Sequence, residues 1–240
     1  MNIKINQEIF NLYEKLHLGV LICNNITNNK EGVDTQALLD ENLELSRQKL
    51  SDLENVTDLR VVKEWREAYK KFGEKKNRSS IEALLRRIYN NKEISCINPL
   101  VDIYNAMSIK YQLPCGGEDI DAMKGDMELA VADGKEVFVP FGCDEEEYPK
   151  EKEVIYKCGN SVVCRCFNWR EADFSKLTED TKNAVLIMEC LSSEELDTLN
   201  QALDEMKEII ENLLGGNCKK YILNQDNSVL ITSRKIEERL

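Results

Sequence analysis

The stretch NPLVDIYNAMSIKYQLPCGGEDIDAMKGD, residues 98–126, divides the chain into a helical part and a part rich in strands. It predicts a helix over 99–111, because Pro99 suits the first turn of a helix and closely spaced apolar residues follow it. The adjacent Gly116 and Gly117 then predict a turn that leads into an acidic run. No other segment sets so many polar side chains beside apolar ones, and we expect the functional pocket here.

Helical patterns dominate the residues before this stretch. Apolar residues recur near helical spacing in three segments, and each segment starts beside a residue that can cap a helix. The predicted elements are strands at 2–5 and 18–26 and helices at 34–53, 58–72 and 81–90, with Ser79 or Ser80 as the cap of the last helix.

Strand patterns dominate the residues after it. Asp133-Gly134 and Gly159-Asn160 predict hairpin turns. The predicted elements are hairpins at 128–142 and 153–167, a strand at 183–191, a long helix to 214, a strand pair at 218–224 and 228–232, and a charged tail at 234–240. Because helices and strands are segregated along the chain, we predict an α+β fold with helices covering a mostly antiparallel sheet system.

The composition is typical of a soluble globular protein. The chain has 240 residues, of which 42% are hydrophobic and 32% are charged, and this is enough to bury a full core. No run of 18 apolar residues is present, and the start of the sequence lacks the basic and apolar regions of a secretory signal. We therefore expect a cytoplasmic protein that does not bind membranes.

The sequence contains nine cysteines and a single histidine, His17, and these counts limit the metal and redox chemistry that is possible. In the cytoplasm the cysteines are expected as reduced thiols. No C-x-x-C pair is present, so no metal site and no cofactor are expected. His17 borders an apolar strand, which favours a structural role over that of a general base.

The net charge of −12 argues against a general binder of DNA or RNA, because phosphate contacts require lysine and arginine. The charge is not uniform. Residues 60–92 contain eleven basic residues against four acidic ones, a net charge of +7. This segment is either a solvated helical face or a local patch that contacts phosphates.

Motifs for nucleophilic and nucleotide chemistry are missing: the sequence has no G-x-S-x-G elbow and no Walker or Rossmann glycine loop. Cys115 is either a nucleophile or a residue that lines a pocket. A cysteine nucleophile needs a base and a lowered pKa, and the sequence indicates neither. Arg170, Glu171 and Asp173 share one short loop. They either form surface ion pairs or form the rim of a site that orients a polar substrate.

Four blocks of sequence resemble, in order and spacing, the B3/B4 domain. They are RSSIEALLRRI (78–88), INPLVDIYNAMS (97–108), LPCGGEDIDAMKGDMELAVADGKEVF (113–138) and CFNWREADFSKLTEDT (166–181). That domain is the editing module of the bacterial phenylalanyl-tRNA synthetase β subunit, and it also occurs in short free-standing proteins. The chain resembles a free-standing member, since 240 residues leave no room for a complete tRNA ligase.

The resemblance implies a domain division, a fold and an activity. A B3/B4-like domain is expected at 59–240, with a strand and helix segment at 1–58 packed on it. The implied fold is an antiparallel β-sandwich of unusual topology covered by helices. The synthetase domain hydrolyses the ester of tRNA that carries the wrong amino acid, and it positions the acylated 3′ acceptor end and a water without an obligatory nucleophile.

Matching motif positions imply the residues of the site. Asn105 is similar to the family's pocket asparagine and, with the backbone N–H groups of Gly116 and Gly117, is assigned to catalysis. Gly116 stands where the synthetases have a histidine. The residues assigned to the substrate are Pro114, Cys115, Asp119, Arg170, Glu171, Asp173 and Glu189, and those assigned to tRNA phosphates are Lys70, Lys71, Lys75, Lys76 and Arg78.

The sequence is compatible with three functions. The first is aminoacyl-tRNA deacylation, the hydrolysis of mischarged tRNA. The second is a non-catalytic module of the same fold that binds tRNA or an amino acid, which the missing histidine and the acidic composition favour. The third is a cysteine-dependent hydrolase of a small ester or thioester, built on Cys115.

Overall fold

A computed structural model of the chain describes residues 1–29 and 31–232, and in this part the chain forms two β-sheets and six α-helices. The strands are β1 (Asn2–Ile5), β2 (His17–Asn24), β3 (Cys115–Asp119), β4 (Met127–Val131), β5 (Val154–Cys158), β6 (Ser161–Arg165), β7 (Arg170–Glu171), β8 (Ala184–Cys190), β9 (Asn217–Leu223) and β10 (Val229–Ile231). The helices are α1 (Gln7–Leu12), α2 (Gln36–Leu50), α3 (Arg60–Lys71), α4 (Ser80–Tyr89), α5 (Pro99–Tyr111) and α6 (Leu196–Leu214). Within the described residues, no helix combines the length and the apolar character that crossing a membrane requires.

The helix α5 has the bounds that the sequence predicts, and local sequence sets its start. The Asn98 side chain accepts a hydrogen bond from the backbone N–H of Val101, and Pro99 occupies the first turn. The helix ends where Gln112 adopts a left-handed conformation, with φ of 55°. Most of its side chains are buried, because α5 packs against both α2 and α6. This position holds Asn105 at a fixed place near the core.

The two sheets are mostly antiparallel, which confirms the predicted α+β class. The four-stranded sheet has the order β3-β8-β2-β9, and every pair in it is antiparallel. Its strand β8 is buried along its whole length. The six-stranded sheet has the order β10-β1-β4-β5-β6-β7, and its one parallel pair joins β1 to β4. The two sheets share one hydrophobic core with the helices.

The hairpin predicted at 128–142 is wrong in its second half. Strand β4 pairs with β5 and β1, and residues 136–142 form only isolated bridges, such as that of Phe138 with Glu147. They cannot pair with β4, because the backbone of Ala132, just after β4, forms hydrogen bonds with the backbone of Lys152 and Glu153. Phe138 instead fills a small separate apolar cluster.

The turn predicted at the two glycines is also wrong, because Gly116 and Gly117 lie inside strand β3. A Cβ added at Gly117 would lie 2.5 Å from a methyl group of Leu186 on the neighbouring strand β8. The missing side chain therefore permits close packing of the strand against the core and does not reverse the chain direction.

Residues before 58 and after 215 complete both sheets. β1 pairs with β4 and β10, and β2 pairs with β8 and β9. The final strands β9 and β10 were predicted as a pair, but they lie in different sheets. The division at residue 58 stays a prediction, and the charged tail at 234–240 lies outside the described residues.

We expect Gly216→Ala to lower the free energy of unfolding by about 1–3 kcal/mol more than Gly73→Ala does. Both glycines have positive φ, 76° for Gly216 and 82° for Gly73, so both variants carry the cost of an alanine at positive φ. Only a Cβ at Gly216 would overlap backbone, at 2.4 Å from the carbonyl oxygen of Asn24, whereas nothing lies within 4 Å of one at Gly73. Urea unfolding measures the difference, and equal losses in the two variants would contradict the close approach.

Candidate active site

A cavity of about 390 Å³ lies where α4, α5, β3, β8 and the turn between β6 and β7 meet. Its volume is in the range of small-molecule sites. The apolar part of the lining includes Leu84, Tyr104, Met127, Tyr156, Phe167 and Ile187. The polar part includes Asn105, Glu118, Asn168, Arg170, Glu171 and Glu189. The stretch 98–126 contributes six of the lining residues, whereas ten lie beyond residue 154 and four lie on α4.

Asn105 lies on α5 and borders the cavity, and it is partly accessible while its neighbours on the helix are buried. Its side-chain amide forms no hydrogen bond with the described residues. Both the NH₂ donors and the oxygen acceptor are therefore available to a ligand.

The register of β3 against β8 decides which glycine N–H group is free of the hydrogen bonds between these two strands. The backbone N–H of Glu189 donates to the carbonyl oxygen of Pro114 at 3.2 Å, so this pair is a hydrogen-bonded one. Such pairs alternate along an antiparallel ladder, which makes Gly116, opposite Ile187, the next one. The N–H of Gly116 is therefore directed at β8, and that of Gly117 is directed out of the sheet edge.

Glu189 is held at the cavity wall by two hydrogen bonds. The Tyr156 hydroxyl donates to Oε1 at 3.0 Å, and the Asn168 amide donates to Oε2 at 3.3 Å. Asn168 in turn accepts a hydrogen bond from the Tyr69 hydroxyl at 3.0 Å. Burial raises the pKa of Glu189 to about 8, although its hydrogen bonds favour the charged form. Burial thus makes the carboxyl group of Glu189 harder to ionise than a carboxyl group in water.

Two further carboxyl groups, those of Glu118 and Glu171, border the same cavity. Glu118 is only 4% exposed, and burial together with the nearby charge of Glu171 raises its pKa. Burial also raises the pKa of Glu171. The cavity therefore contains three carboxyl groups that are all harder to ionise than carboxyl groups in water.

Cys115 lies on β3 and is buried in the cavity lining. Burial raises the pKa of its thiol well above the ordinary value, and the charges of Glu189 and Glu171 raise it further. The thiol is therefore protonated at neutral pH, whereas a cysteine nucleophile acts as the thiolate. The environment favours a lining role for Cys115 over a nucleophilic one.

The other residues predicted to bind the substrate lie at different distances from the cavity. Arg170 borders it, while its guanidinium pairs with Glu147 at 2.9 Å. Pro114, Asp119 and Asp173 are absent from the lining. Asp119 accepts a hydrogen bond from the Thr181 hydroxyl at 2.7 Å, and Asp173 pairs with Lys176 at 2.8 Å. These two aspartates hold the loops around the cavity in place.

A groove of about 490 Å³ adjoins the cavity, and we call it the basic groove. It is lined by Lys76, Asn77, Arg78, Ala83, Arg86, Arg87, Asn90, Lys92 and Trp169. It shares Ala83, Arg87 and Trp169 with the cavity. Among the described residues, Lys76, Arg87 and Lys92 form no ion pair. Part of the basic segment 60–92 therefore lies directly beside the cavity with unpaired cations.

The five cations predicted to contact tRNA divide into two groups. Lys76 and Arg78 line the basic groove, and Lys75 lies with them in an adjoining depression. Lys70 borders that depression but pairs with Glu67 at 2.5 Å. Lys71 is turned away, because its Nζ donates to the backbone oxygen of Leu12 at 2.6 Å.

Several lining residues were not predicted, among them Tyr156, Asn168, Trp169 and Glu118. Asn168 and Trp169 follow a strained turn, since Cys166 and Phe167 have positive φ values of 47° and 70°. This turn aims Asn168 at Glu189. Asn168, Trp169 and Glu118 lie inside the blocks CFNWRE (166–171) and PCGGED (114–119), whereas Tyr156 lies in neither block. Among the described residues, no group of three or more histidine, cysteine, aspartate or glutamate side chains could hold a metal ion.

Comparison with known proteins gives one family. A family model described as "B3/4 domain" matches residues 64–215, a range that contains every residue lining the cavity. A search of curated proteins finds no match. Among solved structures, an N-terminal fragment of the phenylalanyl-tRNA synthetase β-subunit from Pyrococcus horikoshii aligns with a TM-score of 0.43 and 12% identity. That alignment covers 93% of this chain and 54% of the fragment, so the chain spans about half the length of the fragment.

Proposed function

The chain belongs to the B3/4 domain family, and on this basis we propose that it is an aminoacyl-tRNA deacylase that hydrolyses the ester of mischarged tRNA. The observation that supports this most is the shared wall of the cavity and the basic groove, formed by Ala83, Arg87 and Trp169. A ligand with an anionic chain and a small uncharged or cationic end fits such a pair of sites. The 3′ acceptor end of tRNA, with an amino acid attached, is a ligand of this kind.

In the proposed complex the amino acid enters the cavity, and the phosphates of the acceptor end lie in the basic groove. Lys76, Arg87 and Lys92 carry unpaired charges there, and Trp169 offers a face on which a base can stack. Lys75 and Arg78 extend the positive surface away from the cavity.

The reaction needs few protein groups. A water oxygen attacks the ester carbonyl carbon, the bond from that carbon to the ribose oxygen breaks, and the ribose oxygen takes up a proton that the water releases. The Gly117 N–H and the Asn105 amide are the donors that we assign to the oxyanion that forms on the way. Gly116 contributes through its missing side chain and not as a second donor, since its N–H faces β8.

The direct test is incubation of the protein with a panel of tRNAs charged with correct and incorrect amino acids, followed by measurement of the remaining ester. At least one mischarged pair should lose its ester faster than it does in buffer. If every ester persists while the same tRNAs bind, the protein is the non-catalytic module of this fold. If hydrolysis persists after alkylation of the thiols, a reaction that depends on a cysteine is excluded.

We expect Lys76→Ala and Lys92→Ala to weaken tRNA binding and to make it less sensitive to salt. Each lost phosphate contact lowers the slope of log K against log salt by about 0.7 for a single strand. Lys207→Ala is the matched control, because Lys207 lies on α6, outside the groove, and pairs with Glu211. Filter binding at several salt concentrations measures the slopes, and equal slopes for all variants would place the tRNA elsewhere.

A further inference from the structure

Gly116 leaves a space in the cavity wall that the carboxylate of Glu171 occupies. A Cβ added at Gly116 would lie 3.0 Å from Glu171 Oε1. Residues two apart on a strand face the same side, so Glu118 projects on the same face as this space. Two carboxyl groups from different strands, β3 and β7, therefore meet above Gly116.

Glu118 is buried and Glu171 is partly accessible, and both carboxyl groups have fewer hydrogen bonds than the carboxyl group of Glu189. Glu118 Oε2 is buried without a hydrogen-bond partner among the described residues. The carboxylate of Glu171 forms no hydrogen bond or ion pair with them either. Glu189, in the same cavity, has a donor on each oxygen. Because an unpaired buried acceptor costs free energy, the contrast points to a donor that a ligand brings.

The protein's own cations do not supply this donor. Arg170 pairs with Glu147, and neighbouring strand residues such as Arg170 and Glu171 face opposite sides. Arg87, the other cation of the lining, donates to the backbone oxygen of Glu93 at 2.6 Å. The Ser175 hydroxyl lies beside Glu118 and favours its charged form, but it carries no positive charge. Because no cation of the described residues pairs with either carboxyl group, a cationic group has to come with the ligand.

We propose that Glu118 and Glu171 form a subsite that binds the ammonium group of an amino-acid ligand. The proposal rests on the proposed function, and it names the chemical group by which the cavity recognises its substrate. The apolar walls of Tyr104, Tyr156 and Phe167 lie in the same cavity and suit the carbon part of the ligand. The ammonium group can be the α-amino group or one at the end of a side chain.

Binding of an ammonium group should release protons from the subsite. The charge of Glu171 and burial favour the protonated form of the pair in the empty cavity, whereas a bound cation favours the ionised form. The affinity should therefore rise with pH below about 7, where the amine of the ligand stays charged. The other titratable groups that face the pair are Tyr104, Cys115, Asp119, Cys164 and Glu189.

Isothermal titration calorimetry with three probes that carry an amide in place of the carboxylate tests the proposal. Leucinamide carries an α-ammonium group, Nα-acetyl-lysinamide carries one on its side chain, and Nα-acetyl-leucinamide carries none. At least one of the first two should bind, and the third should bind at least tenfold more weakly. Whichever of these two binds more tightly, called the better probe, shows whether the subsite takes the α-ammonium group or an ammonium group on the side chain. Titrations in two buffers of different ionisation enthalpy should reveal the released protons.

Glu118→Gln and Glu171→Gln should each weaken binding of the better probe about tenfold. Glu208→Gln removes the same charge from an exposed position on α6 and should leave the affinity unchanged. The proposal would be overturned if all three probes bound equally or if none of them bound. It would also be overturned if both cavity variants kept the affinity of the unchanged protein. These probes contain no ester and no tRNA. A protein that binds leucinamide but hydrolyses no aminoacyl-tRNA would keep this subsite and refute the proposed function.

Discussion

Replacing Arg165 by methionine should lower the free energy of unfolding by about 3–5 kcal/mol, because it leaves a buried carboxylate without its partner. Arg165 Nε and Nη2 donate to the two oxygens of Glu153 at 2.9 and 2.8 Å, and both side chains are at most 10% exposed. Arg165 also pairs with Glu147 at 3.1 Å. Glu153 retains only backbone donors, the N–H groups of Lys150 and Cys166, once the arginine is removed.

The same variant should change the dependence of stability on pH. Burial alone would raise the pKa of Glu153, but the Arg165 side chain and backbone N–H groups outweigh it, and the pKa is lowered. A lowered folded pKa contributes stability above the unfolded value of about 4.3, and this is lost as the pH falls. Without Arg165, burial dominates and the pKa of Glu153 rises, so ionisation above that pKa destabilises the variant. The difference in stability should therefore shrink from pH 7 to about pH 4.

Urea unfolding at the two pH values measures both effects. Arg47→Met is the matched control, because Arg47 and its partner Glu44 are 37% and 58% exposed, and their pair should contribute no more than about 1 kcal/mol. Adding Glu153→Gln to Arg165→Met should restore part of the loss, since the buried charge is then gone. A loss below about 1 kcal/mol, or one that is the same at both pH values, would show that the pair is not buried as described.

Asn105→Ala should lower the rate of aminoacyl-tRNA hydrolysis by about 100-fold, the typical effect of removing one donor to an oxyanion. The Asn105 amide has no partner among the described residues, so its loss should not change the free energy of unfolding by more than about 0.5 kcal/mol. Asn105→Asp separates a role as hydrogen-bond donor from a role as acceptor, because the carboxylate accepts hydrogen bonds but cannot donate them. If Asn105 stabilises an oxyanion, the aspartate variant should be as slow as the alanine variant.

Single-turnover kinetics on the mischarged tRNA identified by the panel measures these rates. Asn200→Ala is the matched control, an asparagine inside helix α6 that is absent from the cavity lining and donates to the backbone oxygen of Leu196. It should keep the full rate. Hydrolysis at the full rate in Asn105→Ala would remove this residue from the reaction, and a slower rate with a lower unfolding midpoint would indicate a structural role.

The sequence predicted local features well and pairings between distant residues poorly. The bounds of α5 were correct because Pro99 and Asn98 specify its start within a few residues. The strand at Gly116 and Gly117 was missed because its partner, β8, lies some seventy residues away and no local pattern reports it. The family resemblance assigned Asn105, Glu171 and Glu189 to one site, but it did not include Glu118, whose place beside Glu171 depends on the same distant pairing of strands.

The pairing of β2 has a consequence for how the chain folds. This apolar strand, residues 17–24, is placed between β8 (184–190) and β9 (217–223), so both of its neighbours are made long after it during synthesis. Non-local pairing of this kind slows folding, and an unpaired apolar strand is prone to associate with other chains. Residues 17–24 therefore have no partner strand during synthesis until residues 184–190 and 217–223 have been made.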